Sequence, residues 1–302
     1  MPSPDRPAQP GVRAGRKEKT IRKSITLRMF PQQMATLRRL DLAREAGFDG
    51  VEVNLEPWQE YSLATSHEDL VRLRSEVEAR GLRVSAVYDR EQWHFPMSSE
   101  DPAKRARCRD IILGLARAAT VLGTDTVLVM PGAVDNSILA PEPEIVGYRT
   151  AYRNSQEILG ELARIAGDEQ RVYLAIENCP AKFLLSPLEF ARFVDEIDNP
   201  WLVAYFDVGN ALEVGVPEDW IRILGPRIKR IHLKDIRMLA GGSRTLVPLL
   251  AGDVNWPAVR EALREIEYDG WVTAEVFPHY THLAERFIFD TSASMDAILA
   301  LA

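Results

Sequence analysis

Short apolar runs alternate with longer segments of helical spacing from residue 23 to the C-terminus. Eight of these runs have the length of β-strands. Most are nearly continuous, which is typical of parallel strands covered on both faces. The runs that we predict as strands are residues 23–29, 50–55, 82–88, 125–132, 171–178, 201–210, 227–235 and 270–277.

The segments between the predicted strands have the apolar spacing of amphipathic helices. Leu70, Leu73 and Val77 form one such stripe, and Ser66 and Asp69 precede it with the spacing of a capping box. Several of the helical patterns stop at a glycine, as a left-handed C-terminal cap requires. These glycines are Gly47, Gly81, Gly123, Gly167 and Gly225.

Eight strand–helix units in roughly 280 residues predict a single (β/α)8 TIM barrel, an α/β fold with a parallel eight-stranded barrel and outer helices. A doubly wound open sheet would normally have a glycine-rich loop after its first strand. Here the first strand is followed by FPQQM, which contains no glycine. We therefore predict one barrel domain over residues 23–302.

The N-terminal segment, residues 1–22, is rich in proline, arginine and lysine but has no apolar stretch. It matches neither a signal peptide nor a membrane anchor, and we predict a disordered tail. The formal net charge of the whole chain is −7. Because the tail is basic, the folded part is more acidic than that, which disfavours nucleic acid as a partner.

The rest of the composition points to a cytoplasmic protein. No run of apolar residues is long enough to span a membrane, so no membrane partner is expected. The two cysteines, Cys108 and Cys179, lie far apart in the sequence and suggest no disulfide framework. No feature decides the oligomeric state, and a homo-oligomer remains open.

Polar residues end four consecutive predicted strands, the fifth to the eighth. They are Glu177, Asp207, His232 and Glu275. The C-terminal ends of the strands carry the active site in such barrels. Taken singly, a strand-end carboxylate is usually solvated and a lone histidine is usually packed. Three carboxylates facing one another would repel strongly, however, unless a cation lay between them.

We therefore interpret the four residues as ligands of one divalent metal. Carboxylates and an imidazole form a hard, oxygen-rich donor set, which favours Mn²⁺. Mg²⁺, Co²⁺ and Zn²⁺ also fit such a set.

At these residues the chain resembles the xylose-isomerase-like TIM barrels known as sugar phosphate isomerases/epimerases, over about residues 23–300. The similarity is greatest in AIENCP, in YFDVGNALEVGVPEDWIRILGPRIKRIHLKD, in LLAGDVNW and in YDGWVTAEVF. These segments look like the hexulose-6-phosphate isomerase and L-ribulose-5-phosphate 3-epimerase branch. The resemblance implies that Glu177, Asp207, His232 and Glu275 bind one divalent metal and that the two glutamates exchange the proton.

The chain departs from the free-ketose 3-epimerases of this family at three positions. Where those enzymes have a histidine, a glutamate and an arginine, this sequence has Asn210, Phe183 and Met238, with Arg237 beside the last. The identity of the sugar, and whether it carries a phosphate, therefore stays open.

Five further residues are candidates for substrate binding. Lys234 lies two residues after His232 and thus on the same face of the strand. The parity of Glu52 and Asn54 turns them towards the barrel interior, where they would hold sugar hydroxyls or form a buried polar pair. His94 follows the third strand beside Trp93, and Arg237 is a phosphate candidate or a surface residue.

These observations predict an isomerase, a metal-dependent ketose or ketose-phosphate 3-epimerase/isomerase working through an enediolate. Glu177 and Glu275 would be the acid/base pair, and the partner would be a small-molecule sugar or sugar phosphate. Two alternatives stay open: an inosose-type dehydratase, and a metal- and sugar-binding subunit of a larger glycoside-processing complex.

Overall fold

The computed structural model describes residues 21–239 and 244–301. The predicted disordered tail, residues 1–22, lies outside these ranges except for its last two residues. No helix within the described ranges is both long and apolar enough to cross a membrane.

Eight parallel strands close into a barrel in the order β1-β10-β7-β6-β5-β4-β3-β2, so the prediction of a (β/α)8 TIM barrel is confirmed. The order follows the chain around the barrel, as expected when each strand returns beside its predecessor. In chain order the strands are β1 (Arg22–Thr26), β2 (Gly50–Asn54), β3 (Arg83–Tyr88), β4 (Thr126–Val129), β5 (Tyr173–Glu177), β6 (Leu202–Asp207), β7 (Ile228–Leu233), β8 (Asp235–Met238), β9 (Arg244–Val247) and β10 (Trp271–Ala274).

Helices pack around the outside of the barrel. Several begin with a side-chain cap, for example Ser66, which accepts a hydrogen bond from the backbone N–H of Asp69. The helices are α1 (Thr36–Glu45), α2 (His67–Ala79), α3 (Pro102–Leu122), α4 (Tyr148–Gln170), α5 (Pro187–Ile197), α6 (Val208–Leu212), α7 (Pro217–Leu224), α8 (Trp256–Glu265) and α9 (Ala284–Leu299).

The two faces of the strands build two separate apolar clusters. Outward residues such as Val51 and Ile231 join the large core between barrel and helices. Inward residues such as Ala175 and Tyr205 form a smaller cluster inside the barrel. Because side chains alternate along a strand, this inner face also carries Glu177, two residues after Ala175.

A short hairpin that we did not predict follows β7. The predicted strand 227–235 ends at Leu233, and β8 then pairs antiparallel with β9 outside the barrel. The carboxylate of Asp235 accepts hydrogen bonds from the backbone N–H groups of Leu250 and Gly252 and from the indole of Trp256. Asp235 thus fixes the loop that returns to α8.

One predicted helix end is wrong. Gly167 lies inside α4, which continues to Gln170 and is capped by Arg171 in the left-handed conformation. A Cβ at Gly167 would overlap the indole of Trp201, so the glycine is required for close packing and not for a turn. Gly47, Gly81, Gly123 and Gly225 all have positive φ, as caps do.

Candidate active site

The four predicted metal ligands meet at the C-terminal end of the barrel. Glu177 ends β5, Asp207 ends β6, His232 lies near the end of β7, and Glu275 directly follows β10. Each is buried, and each offers one ligand atom within 4.8 Å of the others. The register sets part of this geometry, since Asp207 pairs with His232 across β6 and β7.

His232 turns its two ring nitrogens to different partners. Nδ1 faces the carboxylates, 3.1 Å from Glu177 Oε1 and 3.7 Å from Glu275 Oε2. Nε2 lies 3.1 Å from Glu52 Oε2 on the opposite side of the ring. Nδ1 is therefore the nitrogen available to a metal, while Nε2–H is positioned to donate to Glu52.

Glu52 and Asn54, which we predicted to bind sugar, are deep inside the barrel. Glu52 Oε2 accepts a hydrogen bond of 2.7 Å from the Tyr205 hydroxyl in addition to its contact with His232. Asn54 Oδ1 accepts a hydrogen bond from Thr26. Neither residue is among those that line the cavity above the four ligands. Their contacts are those of residues that support the site from below.

Lys234 lies among the carboxylates, as its parity with His232 predicts. Its ammonium is 2.8 Å from Asp207 Oδ2 and 2.6 Å from Glu275 Oε2. Burial would lower the pKa of Lys234, but the charges of Asp207 and Glu275 outweigh it and raise that pKa. Lys234 therefore stays protonated and contributes a positive charge to the cavity floor.

An amide network holds Asp207 in place. Asn178 Oδ1 accepts a hydrogen bond from the Asp207 backbone N–H, and its Nδ2 donates to the Asp207 carbonyl. Asp207 Oδ1 accepts a hydrogen bond from the backbone N–H of Asn210 at the start of α6. Asn210 in turn donates to the Asn178 carbonyl. These bonds leave Asp207 Oδ2 directed towards the other ligands and Lys234.

The remaining predicted substrate-binding residues, His94 and Arg237, lie away from the cavity. The His94 ring packs near Trp58, with centroids 6.2 Å apart. The guanidinium of Arg237 donates to the carbonyl of Ala251 across the loop after β9. In their place, Trp93 and Arg244 line the cavity.

The cavity has a volume of about 320 Å³ and combines a charged floor with an aromatic and aliphatic wall. Glu177, Glu275 and Lys234 form the floor. Sequence reasoning missed several lining residues, because they lie on or after the first four strands and not on the four strands with acidic ends. These residues are Arg28, Tyr88, Arg90 and, in the loop after β4, Ile138 and Leu139.

Arg28 is the most consequential of the missed residues. It lies in the turn after β1, and its Nη1 donates to Glu275 Oε1 at 3.1 Å. Glu275 is thus held by Arg28 on one oxygen and by Lys234 on the other. The only available signal was an arginine near the C-terminal end of the predicted strand 23–29.

The two glutamates have opposite pKa shifts. Burial raises the pKa of Glu177 to about 7, against the opposing effect of His232. Burial would also raise the pKa of Glu275, but Lys234, His232 and Arg28 lower it to about 2. Without a metal, burial therefore favours the protonated form of Glu177, while the neighbouring positive charges keep Glu275 ionised.

Known proteins resemble this chain over most of its length. The putative L-ribulose-5-phosphate 3-epimerase SgbU of Escherichia coli K12 is 27% identical over 255 residues, which are 79% of this chain and 82% of that protein. The L-ribulose-5-phosphate 3-epimerase UlaE of Salmonella heidelberg is 26% identical over 264 residues, or 83% and 86% of the two chains.

The fold is also that of solved structures. D-psicose 3-epimerase from Clostridium cellulolyticum H10, crystallised with D-tagatose, superimposes with a TM-score of 0.75 at 16% identity, covering 93% of this chain and 99% of that one. The family model described as "Xylose isomerase-like TIM barrel" matches residues 40–295, which include all four candidate ligands. The chain therefore belongs to the xylose isomerase-like TIM barrel family.

Proposed function

We propose that this protein is an isomerase, a metal-dependent 3-epimerase of a ketose or ketose phosphate. One observation carries the proposal: Glu177 and Glu275 both line the cavity and belong to the same group of four ligand residues. The curated relatives, 26–27% identical over most of their length, are named as ketose-phosphate 3-epimerases.

The donor set fits a divalent cation. It consists of three carboxylates and one imidazole. Two of the carboxylates already bind a cation, because the Lys234 ammonium lies within 2.8 Å of both Asp207 and Glu275. Glu177, Asp207, Glu275 and His232 Nδ1 would hold the ion. We propose Mn²⁺ because the set is hard and rich in oxygen.

The ion would supply Lewis acidity, which favours loss of a proton from the carbon beside a ketose carbonyl. The chain's own residues would move the proton. A carboxylate removes the C3 proton to give an enediolate, and a carboxylic acid on the other face returns a proton to C3. Glu177 on β5 and Glu275 after β10 are suited to this because β6 and β7 separate their strands in the barrel.

Neighbouring groups would assist each step. Lys234 faces the cavity and would stabilise negative charge that develops on the substrate oxygens. Tyr88, Trp93 and Phe277 line the same cavity and would exclude water from the enediolate.

Exchange of solvent deuterium tests the proposal. The full chain is incubated with Mn²⁺ in D₂O and with a panel of ketoses and ketose phosphates, and NMR locates the label. Deuterium at C3 together with a new epimer supports 3-epimerisation. Label at C1 or C2 with an aldose product indicates aldose–ketose isomerisation, and loss of a hydroxyl indicates a dehydratase.

Variants connect the exchange to the two glutamates. Glu177→Gln and Glu275→Gln should each abolish turnover and retain the fold, because an amide cannot carry the proton. Glu161→Gln, on the outer surface of α4, is the control and should behave as wild type. Normal turnover in either site variant would refute the acid/base assignment.

A further inference from the structure

A second cavity adjoins the first. It has a volume of about 410 Å³, and Arg28, Arg90 and Phe277 line both cavities. We call it the outer compartment. Its other lining residues are Phe30, Pro31, Gln32, Gln33, Arg39, Glu56, Trp58, Gln59 and His279. The outer compartment is therefore a polar extension of the candidate active site and not a separate surface cleft.

Three arginines line the outer compartment, and two of them already have strong partners. Arg28 is paired with Glu275. Arg39 donates to the backbone carbonyls of Met34 and Gln32, among others. All three guanidinium nitrogens of Arg39 therefore bind backbone carbonyls around the turn after β1, and Arg28 holds Glu275 through Nη1.

Arg90 differs from the other two. Within the described part of the chain, its guanidinium has no hydrogen-bonding partner; it lies 5.9 Å from the centroid of the Trp58 ring and is close enough to Glu56 for their charges to interact. It lies directly after β3, at the boundary between the two cavities. Its donors are consequently available at the junction.

The charge of the outer compartment favours an anion. Glu56 is the sole carboxylate among its lining residues, against three arginines. Glu56 is 1% exposed and lies beside the Gln59 side chain and the Arg90 backbone N–H. Burial raises the pKa of Glu56, while the charges of Arg28 and Arg90 oppose that shift and offset its negative charge.

We propose that Arg90 binds the phosphate of the substrate in the outer compartment, and hence that the substrate is a ketose phosphate. In such a sugar the phosphate lies at the opposite end from the carbonyl. It would enter the outer compartment while C2 and C3 face the glutamates. A guanidinium holds a phosphate through two parallel hydrogen bonds, which fixes its orientation as well as its charge. The inference rests on the proposed function.

Paired substrates test the role of Arg90. We would measure kcat and KM for L-ribulose 5-phosphate and for L-ribulose with wild type, Arg90→Gln and Arg90→Lys. Arg90→Gln should lower kcat/KM for the phosphorylated sugar about 10- to 100-fold, the range expected for a lost hydrogen-bonded charge. The same variant should lower kcat/KM for L-ribulose by a much smaller factor, and Arg90→Lys should recover part of the loss on the phosphorylated sugar.

Arg107→Gln is the matched control. Arg107 pairs with Glu91, the residue next to Arg90, and lines neither cavity. The Arg107→Gln variant should therefore have the wild-type kcat/KM for both sugars. Equal losses on both sugars in Arg90→Gln, or no loss on either, would overturn the assignment of Arg90.

A binding measurement separates this inference from the proposed function. Inorganic phosphate is titrated calorimetrically into the Mg²⁺-loaded chain, with Arg90→Gln in parallel. Phosphate binding that disappears in Arg90→Gln supports the anion site even when no sugar is epimerised, in which case only the proposed function fails. Epimerisation of L-ribulose with no Arg90-dependent phosphate binding supports the function and refutes the anion site.

Discussion

Glu52 Oε2 lies 3.1 Å from Nε2 of His232, behind the face that the imidazole presents to the metal ligands. The same oxygen accepts the hydroxyl of Tyr205 at 2.7 Å. A carboxylate in this position fixes the imidazole orientation and strengthens Nδ1 as a ligand. We therefore infer that Glu52 acts through His232, since Glu52 does not line the cavity.

Glu52→Gln should weaken metal binding about 10- to 100-fold, the usual effect of removing such a partner. The amide is nearly isosteric, so the fold should persist. Titration calorimetry with Mn²⁺ measures the affinity, and circular dichroism monitors the fold.

Asn54→Ala is the control, because Asn54 lies on the same strand and its Oδ1 accepts a hydrogen bond from Thr26, not from His232. It should bind Mn²⁺ as wild type does. If Glu52→Gln retained wild-type Mn²⁺ affinity while Asn54→Ala lost it, the role assigned to Glu52 would be incorrect.

Arg28 should act by positioning Glu275. Its Nη1 donates to Glu275 Oε1, so Arg28→Gln frees one oxygen of the carboxylate that we assign to proton transfer. We expect kcat for an unphosphorylated ketose to fall about 10- to 100-fold with little change in KM, as misplacement of a reacting group does. Steady-state kinetics at saturating Mn²⁺ provides the test.

Arg28→Lys keeps the charge and should recover part of kcat, which a purely structural role would not predict. Arg38→Gln, a surface arginine paired with Glu45 and Glu285, is the matched control. A wild-type kcat in Arg28→Gln would exclude the positioning role.

The fold followed from the sequence because each barrel strand is a nearly continuous apolar run bounded by turn residues. The β8–β9 hairpin was missed because its ladder has only four residue pairs, and apart from Ile236 its apolar residues, such as Met238 and Leu246, are exposed. A two-stranded ladder this short and this exposed leaves no clear periodic pattern.

The convergence of the four candidate ligands was predictable because each lies at or beside the end of a strand, and strand ends converge in this fold. The residues of the cavity wall were not predictable, since no sequence pattern distinguishes Arg28 and Arg90 from surface arginines. Only the folded barrel brings them to the cavity. The role of Glu52 was also hidden. Its parity correctly placed it inside the barrel, but parity does not reveal that its neighbour there is His232.

Two glycines of α4 should respond oppositely to the same substitution. A Cβ on Gly167 would overlap the indole of Trp201, whereas a Cβ on Gly160 meets only Ile197 Cγ2 at an ordinary 3.7 Å. Gly160→Ala should stabilise the protein by about 0.5–1 kcal/mol, since alanine favours the helix. Gly167→Ala should destabilise it by about 1–3 kcal/mol through overpacking.

Urea unfolding of both variants measures these free energies. Tryptophan fluorescence adds a second signal. Displacement of the Trp201 indole should change the emission of Gly167→Ala, whereas Gly160→Ala should emit as wild type does. Stabilisation by Gly167→Ala would show that the close contact with Trp201 is not required.

Asp89 should make stability depend on pH. It is fully buried after β3, and its Oδ2 has no hydrogen-bond partner among the described residues, while Oδ1 accepts a hydrogen bond from the backbone N–H of Glu91. Burial raises its pKa to about 7. Because the folded state binds this proton more tightly than the unfolded state, the favourable contribution is complete below about pH 4 and is lost as the pH rises to about 7.

Asp89→Asn removes the charge that must be buried above pH 7 and keeps an oxygen for the Glu91 N–H. We expect it to stabilise the protein by on the order of 3 kcal/mol at pH 8 and by clearly less at pH 5. Thermal unfolding at the two pH values measures the difference. Asp101→Asn, at the exposed cap of α3, should give no such gain, and an equal gain for Asp89→Asn at both pH values would rule out titration of Asp89 as the cause.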